Sequence, residues 1–220
     1  MNASVEQVVS ALDTISLNDR SVVDSVIKIQ SIIRMYLVMR NILIPNAKYQ
    51  TKLWRKARSW YRTGKHNECE KYQLSMIRSI TSISLLQTYD RINLESLDIV
   101  ECKYPMKEID GFEYTEDFDG LHIMDGKHLY FNLKFVCDRG GAQTRSLREV
   151  YHFMKAQLNH LLAKNCDNIY FINILDGDTC DASFSKYQYL IDQPRFTEIK
   201  KYMFVGDLAM FQIYWRSRSI

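Results

Sequence analysis

Apolar residues recur at three- and four-residue steps along the first part of the chain, and this spacing predicts helices. The pattern covers residues 4–44, resumes over about 49–62, and returns over 70–89. This helical spacing of apolar residues is interrupted at Leu94. We therefore expect a helical N-terminal region over residues 1–93.

The middle of the chain alternates between apolar and polar residues and is rich in aromatic and β-branched types. This pattern covers residues 112–137. Asp125-Gly126 is a strong signal for a two-residue hairpin turn. The sequence therefore predicts paired strands at about 119–124 and 127–136.

A helix and further strands are predicted after the hairpin. The residues S-L-R-E at 146–149 form a capping-box pattern, and the apolar spacing continues the helix to about Lys164. The apolar run 169–175 predicts a buried strand, and 201–205 predicts another. Residues 94–220 should thus form a mixed α/β core, with a central mixed sheet flanked by helices.

The composition is that of an ordinary globular protein, with 220 residues, 46% hydrophobic and 25% charged. No apolar run approaches the roughly 18 residues that a membrane span needs. The N-terminus lacks the basic region and cleavage site of a signal peptide. The five cysteines and five histidines show no zinc or disulfide spacing. We expect an intracellular, cytoplasmic protein with no membrane partner.

Positive charge is concentrated in one segment. The net charge is only +3, yet the seven basic residues between positions 48 and 65 have no acid among them and are interleaved with tyrosine and tryptophan. Such a mixture suits a nucleic acid, because cations neutralise phosphate and flat rings stack on bases. A solvated helix face whose tryptophans pack inward explains it equally well. The candidate DNA-binding residues here are Lys52, Arg55, Lys56 and Arg62.

One segment of the N-terminal region resembles a degenerate IQ motif, which binds calmodulin-like light chains on a basic amphipathic helix. The usual glycine is replaced by Met35, and the second basic residue, Arg40, falls one position late. Because a helix this apolar is more often part of a core, we do not expect a calmodulin-like partner. A helical interaction protein remains an alternative function. The resemblance rests on Ile29-Gln30, Arg34 and Ile42.

The hairpin register brings three polar side chains together. With Asp125-Gly126 as the turn, Asp119 lies directly opposite Asn132. Lys134 shares a face with Asn132, because side chains alternate with period two, and lies diagonally across from Asp119. A carboxylate, an amide and an ammonium group should therefore converge. An ordinary cross-strand ion pair is the simpler interpretation.

The hairpin resembles the PD-(D/E)XK nuclease superfamily, which includes the type II restriction endonucleases. That family has an Asp at the start of one strand, an acid-x-Lys on the next, and then a helix. Here the resemblance rests on Asp119, on Asn132-Leu133-Lys134 thirteen residues later, and on the run GGAQTRSLREVYHF at 140–153. It covers about residues 112–206 and implies a restriction-endonuclease-like core.

The resemblance implies a Mg²⁺-dependent endonuclease that cuts double-stranded DNA as a homodimer. In such an enzyme the helical N-terminal region, residues 1–93, would supply DNA grip or dimer contacts. Asp119, the residue at position 132 and the main-chain carbonyl of Leu133 would bind Mg²⁺, and Lys134 would hold the attacking water and offset phosphate charge. Gln143, Thr144 and Arg145, before the helix, would contact a phosphate or simply cap the helix. A nuclease-like fold that binds DNA without cutting is an alternative.

The sequence departs from the family at position 132, where the family has an acid and this chain has Asn132. An amide is neutral and cannot supply a second anionic ligand to the metal. We therefore expect metal affinity and turnover to drop, so that the chain as written binds DNA but cuts it slowly or not at all. Three explanations are open: an engineered Asp-to-Asn change, which we favour, a naturally inactive site, or a variant in which Glu113 or Glu149 replaces the missing acid.

Overall fold

The computed structural model belongs to the mixed α/β class that the sequence predicts. All of the described residues fall in one compact unit, 66–220, and residues 1–65 form a separate unit. The predicted boundary at 93 falls at the end of the first strand. The helices predicted at 4–44 and 49–62 lie outside the described residues, which are 68–109, 111–136 and 141–217.

The described part of the chain contains five helices and seven short strands. Its helices are α1 (Glu68–Thr81), α2 (Gly141–Lys164), α3 (Asp178–Asp181), α4 (Phe184–Ile191) and α5 (Leu208–Ser217). Its strands are β1 (Asp90–Asn93), β2 (Ile99–Glu101), β3 (Thr115–Asp117), β4 (Gly120–Met124), β5 (Lys127–Phe135), β6 (Ile169–Asp176) and β7 (Met203–Gly206). Single 3-10 turns lie at Pro194–Phe196 and Lys200–Tyr202.

The strands form two sheets. A small antiparallel sheet has the order β2-β1-β3, and the larger sheet has the order β4-β5-β6-β7. In the larger sheet β4 and β5 are antiparallel, whereas β5, β6 and β7 are parallel. Parallel neighbours need a long crossover connection, and α2 provides it between β5 and β6. The central mixed sheet is therefore as predicted.

The predicted hairpin is confirmed in position and register. Met124 pairs with Lys127 at the turn, and Gly120 pairs with Phe131 at the far end. Asp125 and Gly126 have φ angles of 50° and 74°. Positive φ at both turn residues is the requirement of a type I′ turn, whose twist matches that of the paired strands.

Both faces of β5 are covered by helices. Phe131 packs against Phe211 of α5 with ring centroids 6.0 Å apart. On the other face Phe118 packs against Tyr130, and its ring centroid lies 5.2 Å from that of Phe153 in α2. Because side chains alternate along a strand, the even-numbered residues of β5 face α2 and the odd-numbered ones face α1 and α5.

The helix predicted over 70–89 ends earlier, at Thr81. Ser82 has a φ of 61° and leaves the helix. The backbone N–H of Leu86 donates to the carbonyl of Leu121 over 2.8 Å, and the reverse bond is 2.9 Å long. The apolar residues after position 82 thus continue the helical pattern in the sequence but pair with the edge of the sheet.

Other predicted boundaries also differ. α2 begins at Gly141, so the capping-box residues 146–149 lie inside the helix and do not start it. The last strand is Met203–Gly206, preceded by a 3-10 turn, and not 201–205. The three strands of the small sheet were not predicted, because runs of three or four residues are too short to show alternation. Of the helices described, none combines the length and apolarity needed to cross a membrane.

Candidate functional site

Asp119 lies at the junction between β3 and β4 and ends the hairpin ladder. Its backbone N–H donates to the carbonyl of Phe131 over 2.8 Å. Its Oδ2 accepts a hydrogen bond of 2.6 Å from the backbone N–H of Leu133. Two bonds to neighbouring positions of β5 therefore fix both the backbone and the carboxylate of this residue.

The carboxyl group of Asp119 has a raised pKa. Its pKa is raised to about 6, chiefly by burial and to a smaller extent by the charges of Glu70 and Asp117. The bond from the Leu133 N–H and the charge of Lys134 oppose this rise. A buried carboxyl group with a raised pKa, under the influence of a nearby lysine charge, is typical of functional sites.

Glu116 is a second half-buried acid that the sequence analysis missed. Burial raises its pKa, and the neighbouring charge of Asp117 adds to the rise, whereas Lys134 lowers it. Lys134 is exposed and acts electrostatically on both Glu116 and Asp119. The acidic run E-D-F-D at 116–119 was the signal available in the sequence.

The side chain of Asn132 has other partners than Asp119. Only 2% of the residue is exposed, and its Nδ2 donates to Oδ1 of Asn173 over 2.9 Å. The Nδ2 of Asn173 in turn donates to Oε1 of Gln157 over 2.9 Å. We call Asn132, Asn173 and Gln157 the amide ladder; it joins β5, β6 and α2. This gives Asn132 a packing role that does not require an engineered change of an acid.

The two acids considered as replacements for the missing acid at position 132 are both exposed. Glu113 is exposed, and its backbone forms an isolated antiparallel β-bridge with that of Lys107. Glu149 is exposed on α2 and acts on the pKa of Glu116. No group of three His, Cys, Asp or Glu side chains capable of holding a metal ion occurs in the described ranges. Asp119 is therefore the candidate first ligand of a cation, without an assembled set around it.

The predicted DNA contacts are only partly described. Thr144 and Arg145 are exposed, and because α2 begins at Gly141 they lie inside the helix, not in a loop before it. The side chain of Gln143 lies outside the described part of the chain. The same is true of the basic segment, with Lys52, Arg55, Lys56 and Arg62.

Comparison with known families identifies an IQ calmodulin-binding motif at residues 23–43. No restriction-endonuclease or PD-(D/E)XK family matches, so the family assignment made from the hairpin is wrong. An acid and an x-Lys pair on adjacent strands are too few residues to specify a family. No curated protein and no solved structure matches the chain.

The expectation that a calmodulin-like partner is absent is wrong as well, since the matched segment is the one that was interpreted as core. Apolar residues on a helix bury equally well in a core or in a partner's groove, so apolarity did not discriminate between the two. The matched residues lie outside the described ranges.

Proposed function

We propose that this protein is an interaction protein whose residues 23–43 bind a calmodulin-like partner. The observation that carries the proposal is the IQ-motif match over this segment. Gln30 and Arg34 are four residues apart, so they share one face if the segment is helical. An intracellular location, as the sequence suggests, belongs to this proposal.

The charge and apolar content of the segment suit such a partner. Residues 23–43 contain three basic residues and one acid, which gives a net charge of +2. A basic amphipathic helix is typical of calmodulin targets. Calmodulin-like proteins enclose the apolar face of a target helix in a flexible, methionine-rich groove. The apolar residues around the motif supply the anchors that this mode of binding requires.

Calorimetric titration of the full chain with calmodulin, once with Ca²⁺ and once with EDTA, tests the proposal. We expect binding in at least one condition. Arg34→Ala with Arg40→Ala should weaken it by about tenfold or more, because charge-assisted contacts at a helix interface are lost. Arg55→Ala with Lys56→Ala removes the same charge outside the motif and should leave affinity nearly unchanged. Absence of binding in both conditions would refute the proposal.

A second candidate function is Mg²⁺-dependent cleavage of phosphodiester bonds in double-stranded DNA at the hairpin. It is favoured by the half-buried carboxylate of Asp119, whose pKa is raised to about 6 beside Lys134. Asp119 would hold the cation, which typically takes one or two carboxylates and keeps several waters. Lys134 would offset charge on the reacting phosphate. The same surface could also hold DNA without cutting it.

Incubation of the unsubstituted chain with plasmid DNA, with Mg²⁺ or with EDTA, tests this second candidate. Cleavage should require Mg²⁺ and should be lost in Asp119→Asn and in Lys134→Ala. Lys127→Ala, at the other end of β5, is the matched control and should cut normally. DNA binding without cleavage would support the non-cleaving alternative. Neither binding nor cleavage would remove DNA from the functions of this hairpin.

A further inference from the structure

A preformed groove lies between α2 and the segment of α3 and α4. Its volume is about 690 Å³, within the range of about 300–1,000 Å³ that is usual for small-molecule sites. Leu147 and Tyr187 line it and are buried. The hydroxyl of Tyr187 donates to the carbonyl of Leu147 over 3.3 Å, which ties the two walls together at the base of the groove.

The walls carry hydroxyl groups and tyrosine rings. α2 contributes Thr144 and Tyr151, and α4 contributes Ser185 and Tyr189. Thr144 and Tyr151 are seven residues apart and therefore share one face of α2, while Ser185 and Tyr189 are four apart on α4. Tyr189 is 71% exposed, so its ring is accessible to a ligand.

The charged residues described along this groove are cations. Arg148 comes from α2, one turn after Thr144, and Lys186 comes from α4. Both are exposed, and neither forms an ion pair with an acid of the described residues. No acid occurs among the described residues that line the groove. Two unpaired cations facing one apolar groove favour a ligand with an anionic group and an apolar ring.

We propose that this groove binds a mononucleotide. The phosphate is held by Arg148 and Lys186 through charge-assisted hydrogen bonds, with hydroxyl donors beside them. The base lies against Tyr189, since every base offers a flat face to an aromatic ring. The site uses none of the residues of the hairpin, so it does not depend on either function proposed above.

The proposal is tested by calorimetric titration of the full chain with adenosine 5′-monophosphate in EDTA, with adenosine and inorganic phosphate as separate probes. The nucleotide should bind at least about tenfold more tightly than either probe, because each probe lacks one half of the ligand. Arg148→Gln with Lys186→Gln should weaken nucleotide binding by about tenfold or more. Tyr189→Ala should weaken it by about fivefold or more and leave phosphate binding unchanged.

Lys155→Gln is the matched control, since Lys155 is exposed on α2. It removes a cation from α2 that does not line the groove, and it should leave nucleotide affinity nearly unchanged. Far-UV circular dichroism and thermal unfolding establish that each variant is folded. Equal affinity for adenosine and its monophosphate would overturn the proposal. So would an equal loss in Lys155→Gln, since binding would then depend on the overall positive charge of the protein and not on the cations of the groove.

Discussion

Two glycines with positive φ illustrate how differently the same residue is used. Gly177, after β6, has a φ of 103°, and a Cβ there would lie 2.2 Å from the carbonyl oxygen of Val136. Gly126, in the hairpin turn, has a φ of 74° and nothing within 4 Å of a Cβ. Gly177 therefore permits a close backbone approach, whereas Gly126 only permits a turn.

We expect Gly177→Ala to lower the free energy of unfolding by about 3 kcal/mol or more, because the clash is with backbone and adds to the strained φ. Gly126→Ala should cost only about 1–2 kcal/mol, the price of a left-handed φ alone. Urea unfolding of both variants measures the difference. Equal losses would show that the backbone near Val136 moves aside at little cost.

The carboxyl group of Asp176, at the end of β6, makes stability depend on pH. Its pKa is raised from 3.8 to about 7, chiefly by burial, and the charge of Asp207 contributes to the rise. Hydrogen bonds from the Gln73 side chain and the Leu208 N–H, of 2.7 and 3.1 Å, oppose it. Between these two pH values the folded chain holds a proton that the unfolded chain has lost. Stability should therefore fall as the pH rises from about 4 to about 7.

Asp176→Asn should flatten this fall, because the amide does not titrate. Asp119 contributes in the same direction up to a pH of about 6 and will leave part of the slope. Asp192→Asn is the control: Asp192 is exposed and its pKa is lowered, so the slope in this window should not change. The measurement is the free energy of unfolding across the window. A slope in Asp176→Asn equal to that of the unsubstituted chain would contradict the assignment.

At the scale of elements, the amide ladder connects the sheet to its crossover helix. Asn132 donates to Asn173, and Asn173 donates to Gln157, all three within the buried layer between the sheet and α2. Buried amides of this kind stabilise only when they are paired, since an unpaired polar group in the core is costly. The ladder therefore requires an amide at position 132 that can donate.

Asn132→Asp should destabilise the fold by about 1–3 kcal/mol near neutral pH, because a carboxylate cannot donate to Asn173 Oδ1. Part of the loss should be recovered at low pH, where the acid is protonated and donates again. Asn168→Asp, on an exposed connection, is the control and should change stability little. Denaturant unfolding at two pH values measures both. Unchanged stability, together with new Mg²⁺-dependent cleavage, would instead mark position 132 as the place of a catalytic acid.

At the scale of the whole molecule, residues 66–220 form a compact unit that is separate from residues 1–65. The IQ-matched segment, residues 23–43, belongs to the unit formed by residues 1–65. A chain of residues 66–220 should therefore unfold in one cooperative transition and should not bind calmodulin. Circular dichroism during urea unfolding and calorimetric titration test the two statements. A fragment without cooperative unfolding, or one that still binds calmodulin, would contradict this division of roles.

Much of the central sheet and its hairpin could be predicted, because these features depend on neighbouring residues. Asp125-Gly126 specifies a turn, alternation specifies which face each side chain takes, and together they set the register from Gly120 to Phe131. The buried strand at 169–175 was also predicted, because its apolar residues form an almost continuous run in the sequence. The IQ pattern was visible too, but its partner was misjudged, because apolarity alone does not distinguish a core from a binding face.

The remaining features were decided by tertiary contacts. The residues after Ser82 keep a helical pattern, yet Leu86 pairs with Leu121, because hydrogen bonds at a sheet edge outweigh a weak local preference. The hairpin register predicted that Asn132 lies opposite Asp119. Its side-chain amide instead donates to Asn173, which is 41 residues later in the chain and belongs to β6. Local spacing determines turns, faces and motifs; which distant groups satisfy a buried polar atom depends on how the whole chain packs.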